Sequence, residues 1–319
     1  MEFANNSILN GYNVLVTGAN GFVGRHLCRY LDNYHITTVK AVREASANDR
    51  TVFATGDING TTSWSPVLSE IDCVVHLAAR VHVMNNREEG DQLSAFRAVN
   101  VDGTINLARQ ALHAGVRKFI YLSSIKVNGE KTHDKPFTAS DVPAPSEPYG
   151  VSKLEAENAL FCIAEESGME LVVIRPPMVY GPGAKGNFAR LVRLVRNTTI
   201  LPLGYVKNKR SLLYVDNLCD LITHCLHNNK ACGQVITACD GHDLSTPELI
   251  NLIANVLDKK CYLLPVPVPL LRLSGLLTGR KVEISRLTEN LQIDNQDMKN
   301  KIGWQPPMKV EDAFDRSIT

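Results

Sequence analysis

The sequence predicts an α/β protein, a doubly wound parallel sheet with a smaller C-terminal lobe. Three observations lead there. Short apolar runs alternate with helix-compatible segments over the first 176 residues. The first of these runs ends in a glycine-rich turn that feeds a helix. After Arg175 the alternation loosens, while proline, glycine and basic residues increase. Apolar strands separated by helices imply parallel pairing with both faces covered, because parallel neighbours need a crossover long enough to hold a helix.

In chain order, residues 12–18 (YNVLVTG) read as a strand and 22–33 as a helix. Residues 37–42, 51–55 and 72–78 read as strands, and about 91 to 114 as one long helix. Residues 118–123 form the next strand, 149–167 the next helix, and 170–176 the strand that closes the series. At 319 residues, the chain suits one large domain or two unequal ones. Hydrophobic residues at 44% suffice for a packed core. A net charge of +1 offers no overall attraction for nucleic acid or an acidic membrane, although it leaves room for local basic patches.

Cys28, Cys73, Cys162, Cys219, Cys225, Cys232, Cys239 and Cys261 include no Cys-x-x-Cys pair, so reduced thiols in a cytoplasmic protein are expected. His224, Cys225 and His227 are the nearest approach to a metal cluster. They lack a matching second pair, so they read as a helix face and no metal is expected. The N-terminus lacks a basic region followed by an apolar core, so no secretory signal is expected. No apolar run has the roughly 20 residues of a membrane span. The nearest, residues 262–279 (YLLPVPVPLLRLSGLLTG), is interrupted by three prolines and Arg272. It reads as a buried segment of the second lobe or, alternatively, as a surface touching a lipid-linked substrate.

Gly18, Gly21 and Gly24, with Asn20, Phe22 and Val23 among them, occupy the first strand-to-helix turn. Glycines there allow a tight turn, close approach of a pyrophosphate, and packing of helix on sheet. The helix N-terminus then offers free N–H groups and a positive dipole end. The G-x-x-G-x-x-G spacing resembles that of the short-chain dehydrogenase/reductase superfamily, with a Rossmann-type sheet. The second strand ends in Arg43 followed by Glu44. A guanidinium there suits a 2′-phosphate and favours NADP(H) over NAD, the other reading being a solvated arginine. Asp57 and Ile58 resemble the pair that flanks adenine in that superfamily. Leu77, Ala78 and Ala79 follow His76 where the fourth strand must pass close to a cofactor.

Tyr149 and Lys153 stand at i, i+4 spacing at the start of a predicted helix, on one face. A phenol is a poor base at neutral pH, and a neighbouring ammonium favours its phenolate. Ser124 lies 25 positions earlier, at the end of the predicted fifth strand. With these residues, Asn100 in VNVDGT, the segment RPPMVYGPG from Arg175 and the segment RSLLYVDNL from Arg210, nearly the whole chain resembles one family. It is similar to the extended short-chain dehydrogenase/reductases, the NAD-dependent epimerase/dehydratase family acting on nucleotide sugars.

The resemblance implies an enzyme in which Ser124 polarises the substrate oxygen, Tyr149 is the acid/base, and Lys153 tunes the tyrosine and binds ribose. It places Asn100, Pro176 and Met178 along the cofactor, an NAD(P). Lys126, Asn187, Arg210 and either Arg280 or Arg286 are implied contacts of a UDP-sugar. Residues 1–176, with a returning segment at about 211–240, would bind NAD(P), and 177–319 mainly the nucleotide sugar. A homodimer through the helices containing Asn100 and Tyr149 is also implied.

Ile125 and Lys126 stand where the family's dehydratases carry an Asp-Glu pair, which argues against dehydration. Asn128 departs from the Val-Tyr-Gly of its epimerases. Together with Arg43, this favours reduction of a UDP-4-keto-6-deoxy-N-acetylhexosamine at C4, in surface-polysaccharide (O-antigen) biosynthesis. The alternative is a 4-epimerase of UDP-glucose or UDP-N-acetylglucosamine, or of a lipid-linked sugar. A cofactor-binding sensor without chemistry is disfavoured, because Ser124, Tyr149 and Lys153 are all present.

Overall fold

A computed structural model describes residues 11–45, 51–81 and 89–318. The N-terminal stretch where no secretory signal is expected lies largely outside them. The elements in order are β1 (Asn13–Thr17), α1 (Phe22–Asn33), β2 (Thr37–Val42), β3 (Val52–Ala54), α2 (Ser65–Leu68) and β4 (Cys73–His76). Then come α3 (Glu89–Arg97), α4 (Gly103–His113), β5 (Lys118–Leu122), α5 (Pro148–Ser167), β6 (Glu170–Arg175) and β7 (Met178–Tyr180). They continue with α6 (Asn187–Asn197), β8 (Ile200–Leu201), β9 (Leu212–Tyr214), α7 (Val215–His227), β10 (Gln234–Thr237) and α8 (Thr246–Val256). The last are β11 (Tyr262–Leu263), α9 (Val268–Leu277), α10 (Lys281–Thr288), α11 (Gln296–Ile302) and α12 (Val310–Ser317).

The main sheet runs β10-β6-β5-β4-β1-β2-β3, with every pair parallel. This is the Rossmann-type order. The order in which strands are added reverses between β1 and β4, which opens a crevice at the carboxyl ends of those strands. Alternation along each strand divides the core. Val14 and Val16 face one side with Val75, Ile120 and Ile174, while Leu15 faces the other with Val74, Phe119 and Val173. The first of these cores continues past α1 and α7 into the C-terminal lobe. There Tyr180 stacks on Phe314 at 4.7 Å and meets Phe188 and Tyr214.

Two expectations change. The single helix over about 91–114 is α3 and α4 joined by a π-helical turn at Ala98–Asp102. The extra residue in that turn carries Asn100 inward, where its amide bonds both backbone groups of Arg80. Residues 262–279 are not a buried segment. Leu271 and Gly275 face inward, but Leu270, Leu273, Leu276 and Leu277 are exposed. Of the residues read as a helix face rather than a metal cluster, Cys225 is buried in α7 and the His224 ring reaches the Ile302 carbonyl at 2.9 Å.

A buried ion pair binds the sheet to α5. Arg175, at the end of β6, donates to Glu157 through Nε at 3.0 Å and also through Nη2; both residues are buried. Ser123 donates to the same carboxylate, and Arg175 Nη1 reaches Asn128 Oδ1 at 3.0 Å. Removing one charge strands the other away from water. Arg175→Ala is therefore expected to cost about 3–5 kcal/mol in urea unfolding, and Arg175→Met with Glu157→Leu far less.

On the other face, His26 in α1 donates Nε2–H to the Pro182 carbonyl at 3.0 Å and Nδ1–H to Asp216 at 3.2 Å. Both partners only accept, so the imidazolium is favoured. The bond to Asp216 lifts His26 above its ordinary value, and the same bond holds Asp216 below the usual carboxylate range. Since the folded value exceeds the unfolded one of about 6.5, this stabilisation is complete below that pH and fades as pH rises through the folded value. His26→Ala should therefore lower the urea midpoint more at pH 6 than at pH 8.5. Equal losses at both would contradict it.

Candidate active site

The glycine turn lies at the sheet's crevice. Gly18 has φ +66°, and its backbone abuts Leu77 and Ala78, so that a Cβ would come within 3.0 Å of Ala78. A Cβ on Gly24 would stand 2.2 Å from the Gly18 carbonyl oxygen, so α1 can approach the turn only with glycine there. Gly21 bonds back to the Gly18 carbonyl at 2.8 Å and begins α1 without a side-chain cap. That leaves a helix N-terminus with no side-chain hydrogen bond capping it, as a cradle for a pyrophosphate requires. Phe22 meets His26 edge to face at 5.5 Å, Val23 packs on the core, and the Asn20 carbonyl accepts from Arg25. The turn thus fits a dinucleotide.

A chain of hydrogen bonds fixes this cradle from below. Thr104 donates its hydroxyl to the Asn100 carbonyl at 2.7 Å, so it must accept from His76 Nε2 at 3.0 Å. His76 Nδ1 is then the acceptor of the Thr17 hydroxyl at 2.7 Å, and Thr17 in turn accepts the Leu77 and Ala78 amides, each at 3.2 Å. Burial pushes His76 down to about 3, with the Lys153 charge adding to the effect, so the ring is neutral. Thr17 and His76 are register partners on β1 and β4. Sequence reading missed this chain, although two polar residues ending adjacent apolar strands beside the glycine turn were its available signal.

Arg43 and Asp57, after β2 and β3, are exposed and pair at 3.0 Å. Ile58 packs against Gly103, where a Cβ would come within 2.7 Å of it. Ala79 follows Ala78 at the end of β4, half-buried.

Ser124 follows β5 and caps a short 3-10 turn, Ile125–Val127, accepting the Lys126 amide at 3.3 Å. The Ile125 amide bonds the Pro176 carbonyl at 2.9 Å, and Met178 begins β7 just beyond. Tyr149 is in the first turn of α5, half-buried, with Phe96 edge to face at 6.1 Å. Burial pushes its phenol up to about 12. Lys153 is buried one turn later, donating to the Leu122 carbonyl at 2.8 Å and lying 4.4 Å from the centroid of the Tyr121 ring. Burial draws it down to about 7, opposed by Glu157. Asn100 donates to Ser152 at 3.0 Å, which bonds the Tyr149 carbonyl at 2.8 Å, so cradle and tyrosine share one network.

The expected substrate residues separate. Lys126 is held by Glu130 at 2.9 Å and by Glu147, which also accepts from Arg286 at 3.2 Å. Arg210 donates to the Arg286 and Glu289 carbonyls at 3.1 and 3.2 Å, and burial with the Arg286 charge beside it lowers its value. Lys126, Arg210 and Arg286 are therefore linked into one charged group through Glu147, two residues before Tyr149 in the chain. Arg280 does not join it, being exposed at the start of α10, and Asn187 is exposed at the start of α6. One oxygen of Glu130 is buried with no hydrogen-bond partner among the described residues. Glu130 and Glu147 were not anticipated: Glu130 stands four residues from Lys126, whereas only the fold brings Glu147 to Lys126 and Arg286. An open cavity of about 460 Å³ lies alongside, lined by Lys131, His133, Asp134, Arg272, Glu289 and Asn290 among others.

Gly150 explains how α5 comes so near Ser124. A Cβ there would lie 2.8 Å from the Lys126 carbonyl oxygen and 3.0 Å from Pro145 Cβ. Gly150→Ala is expected to cost about 1–3 kcal/mol in thermal or urea unfolding. It should also reduce turnover roughly tenfold or more by displacing Tyr149, with smaller effect on KM. Unchanged turnover would refute this close approach.

Residues 14–239 match the model of the NAD dependent epimerase/dehydratase family. The chain is 46% identical to a UDP-glucose 4-epimerase from Vibrio cholerae, over 94% of this chain and 93% of that one. It is 28% identical to an N-acetyl-alpha-D-glucosaminyl-diphospho-ditrans,octacis-undecaprenol 4-epimerase from Escherichia coli O157:H7, over 96% and 94%. A UDP-N-acetylglucosamine 4-epimerase structure from Bacillus cereus shares the fold with a TM-score of 0.78 at 21% identity, covering 95% of this chain and 97% of that one. The chain therefore belongs to the NAD-dependent epimerase/dehydratase family and is an NAD(P)-dependent enzyme of the extended short-chain dehydrogenase/reductase type.

Proposed function

We propose that this enzyme is a UDP-hexose 4-epimerase, and the observation that carries this is the 46% identity over nearly the full chain to a UDP-glucose 4-epimerase. This reverses the preference for a 4-keto reductase. The residues behind that preference have other work in the fold. Asn128 is buried, bonding Arg175 and, through Nδ2, the Thr138 carbonyl at 2.8 Å, so its departure from the epimerase pattern has a structural account. Lys126 is neutralised by two acids. Arg43 is paired with Asp57, and a carboxylate beside a 2′-phosphate is unfavourable, which supports NAD rather than NADP(H).

In this proposal, residues 1–176 with the segment at about 211–240 hold the cofactor, and 177–319 mainly the sugar nucleotide. Gly18, Gly21 and Gly24 admit the pyrophosphate, Asp57 and Ile58 flank the adenine, and Pro176 and Met178 lie along the nicotinamide. The bound cofactor supplies a hydride acceptor and donor for C4. Ser124 donates to the C4 oxygen, while Tyr149 removes its proton on oxidation and returns it on reduction. Because burial holds the phenol up at about 12, Tyr149 becomes a working base only with positive charge beside it. Lys153 is positioned for this by the Leu122 carbonyl. Arg286, rather than Arg280, joins Arg210 in gripping the diphosphate, since those two already sit together. All eight cysteines are free, which supports a cytoplasmic location.

Purified protein without added cofactor should interconvert UDP-glucose with UDP-galactose, or the corresponding N-acetyl pair, and Tyr149→Phe should lower turnover about 10²–10⁴-fold. Stoichiometric oxidation of NADPH by a UDP-4-keto-6-deoxy sugar, without epimerisation, would restore the reductase instead.

A further inference from the structure

We infer that the α9–α10 hairpin is a docking face for an anionic lipid bilayer. The two helices pack through Leu271 and Gly275, the latter so close that a Cβ would come within 2.8 Å of Ile284. Opposite that seam, Leu270, Leu273, Leu276, Leu277 and Val282 are 51–78% exposed. Positions 270, 273 and 277 follow helical spacing, so the leucines form one stripe and are not scattered exceptions. Isolated surface leucines are ordinary, but a contiguous stripe on an outward helix calls for an occupant.

Charge identifies that occupant. The hairpin carries Arg272, Arg280, Lys281 and Arg286 against a single acid, Glu283, in a chain whose net charge is +1. Arg280 and Lys281, at the turn between the helices, are exposed, and so is Arg272, which sits at the edge of the stripe where the hairpin borders the cavity beside Glu289. Leucines bordered by cations on a short surface helix suit the boundary between acyl chains and anionic headgroups, where long basic side chains reach outward while apolar ones enter. Among the described residues no helix is long and apolar enough to cross a membrane, so the contact is with the surface. The inward side of the hairpin sends Arg286 to Glu147, two residues before Tyr149. A bilayer on the outer side would thus hold the charged group facing the site near the membrane, whichever sugar reaction the site performs.

Full-length protein should sediment with vesicles of phosphatidylglycerol and phosphatidylethanolamine and not with phosphatidylcholine vesicles. Leu273→Asp with Leu277→Asp should lower the partition coefficient at least about tenfold. Each of Arg272→Ala and Lys281→Ala should lower it about fivefold, and 0.5 M salt should do likewise. An unchanged unfolding midpoint in the leucine variant, expected for exposed positions, separates lost docking from lost folding. Failure of the wild type to sediment with anionic vesicles, or equal sedimentation of the variant, overturns the proposal. Dissociation of a wild-type dimer by the leucine substitutions, without vesicle binding, assigns the face to a second copy and overturns it too.

Discussion

The ion pair between Arg175 and Glu157 is the constraint on which the proposed catalytic arrangement rests. It lies where β6, α5 and the end of β5 converge, and it takes up Ser123 and Asn128 as well. Two charges withdrawn from water are tolerable only when each is saturated with partners, and saturation demands fixed geometry. Ser124 is adjacent to one member of this cluster and Lys153 stands one turn before Glu157. The stretch from Ser124 to Gly129 is bent around Asn128. A flexible apolar contact in the same place would leave Ser124 and the first turns of α5 free to drift relative to one another.

A second network, from Asn100 through Thr104, His76 and Thr17 to the amides of Leu77 and Ala78, does for the cofactor cradle what the ion pair does for the tyrosine. The two meet through Asn100, Ser152 and the Tyr149 carbonyl. The glycine-turn cradle and Tyr149 are therefore parts of one polar framework spanning the carboxyl ends of the central strands. The apolar cores on the two faces of the sheet supply the driving force around it, without specifying the positions of the reacting groups.

Local patterns carried the fold. α1 and β2 fall where the periodicity placed them, and β5, α5 and β6 within a residue or so, because their signals are contiguous in the chain. The π turn at Asn100 was not legible, since it answers to the backbone of Arg80 across an unrelated segment. Tyr149 and Lys153 were legible as an i, i+4 pair, and Ser124 through the resemblance to the family. Glu147 was not, because a carboxylate whose partners lie 21 and 139 residues away leaves no local trace. The same limit hid the partners of Asn128 and Arg43: Arg175 lies 47 residues from Asn128, and Asp57 sits on a different strand end from Arg43. Residues 262–279 looked buried because composition cannot tell an inward leucine from an outward one.

The fixed proton order through His76 has one further consequence. Every hydroxyl and ring nitrogen in that chain has a single permitted role, and protonating the ring would break the bond from Thr17, so the cradle has no second titration state within the physiological range. His26 is only two residues beyond Gly24 on the same helix, yet it sits between two acceptors and favours its charged form. One short helix thus has an acidity-blind end, where the dinucleotide is expected, and an acidity-responsive flank tied to Pro182 and Asp216. The pH-responsive contact of α1 with Pro182 and Asp216 is thus built from different groups than the hydrogen bonds beneath the glycine turn.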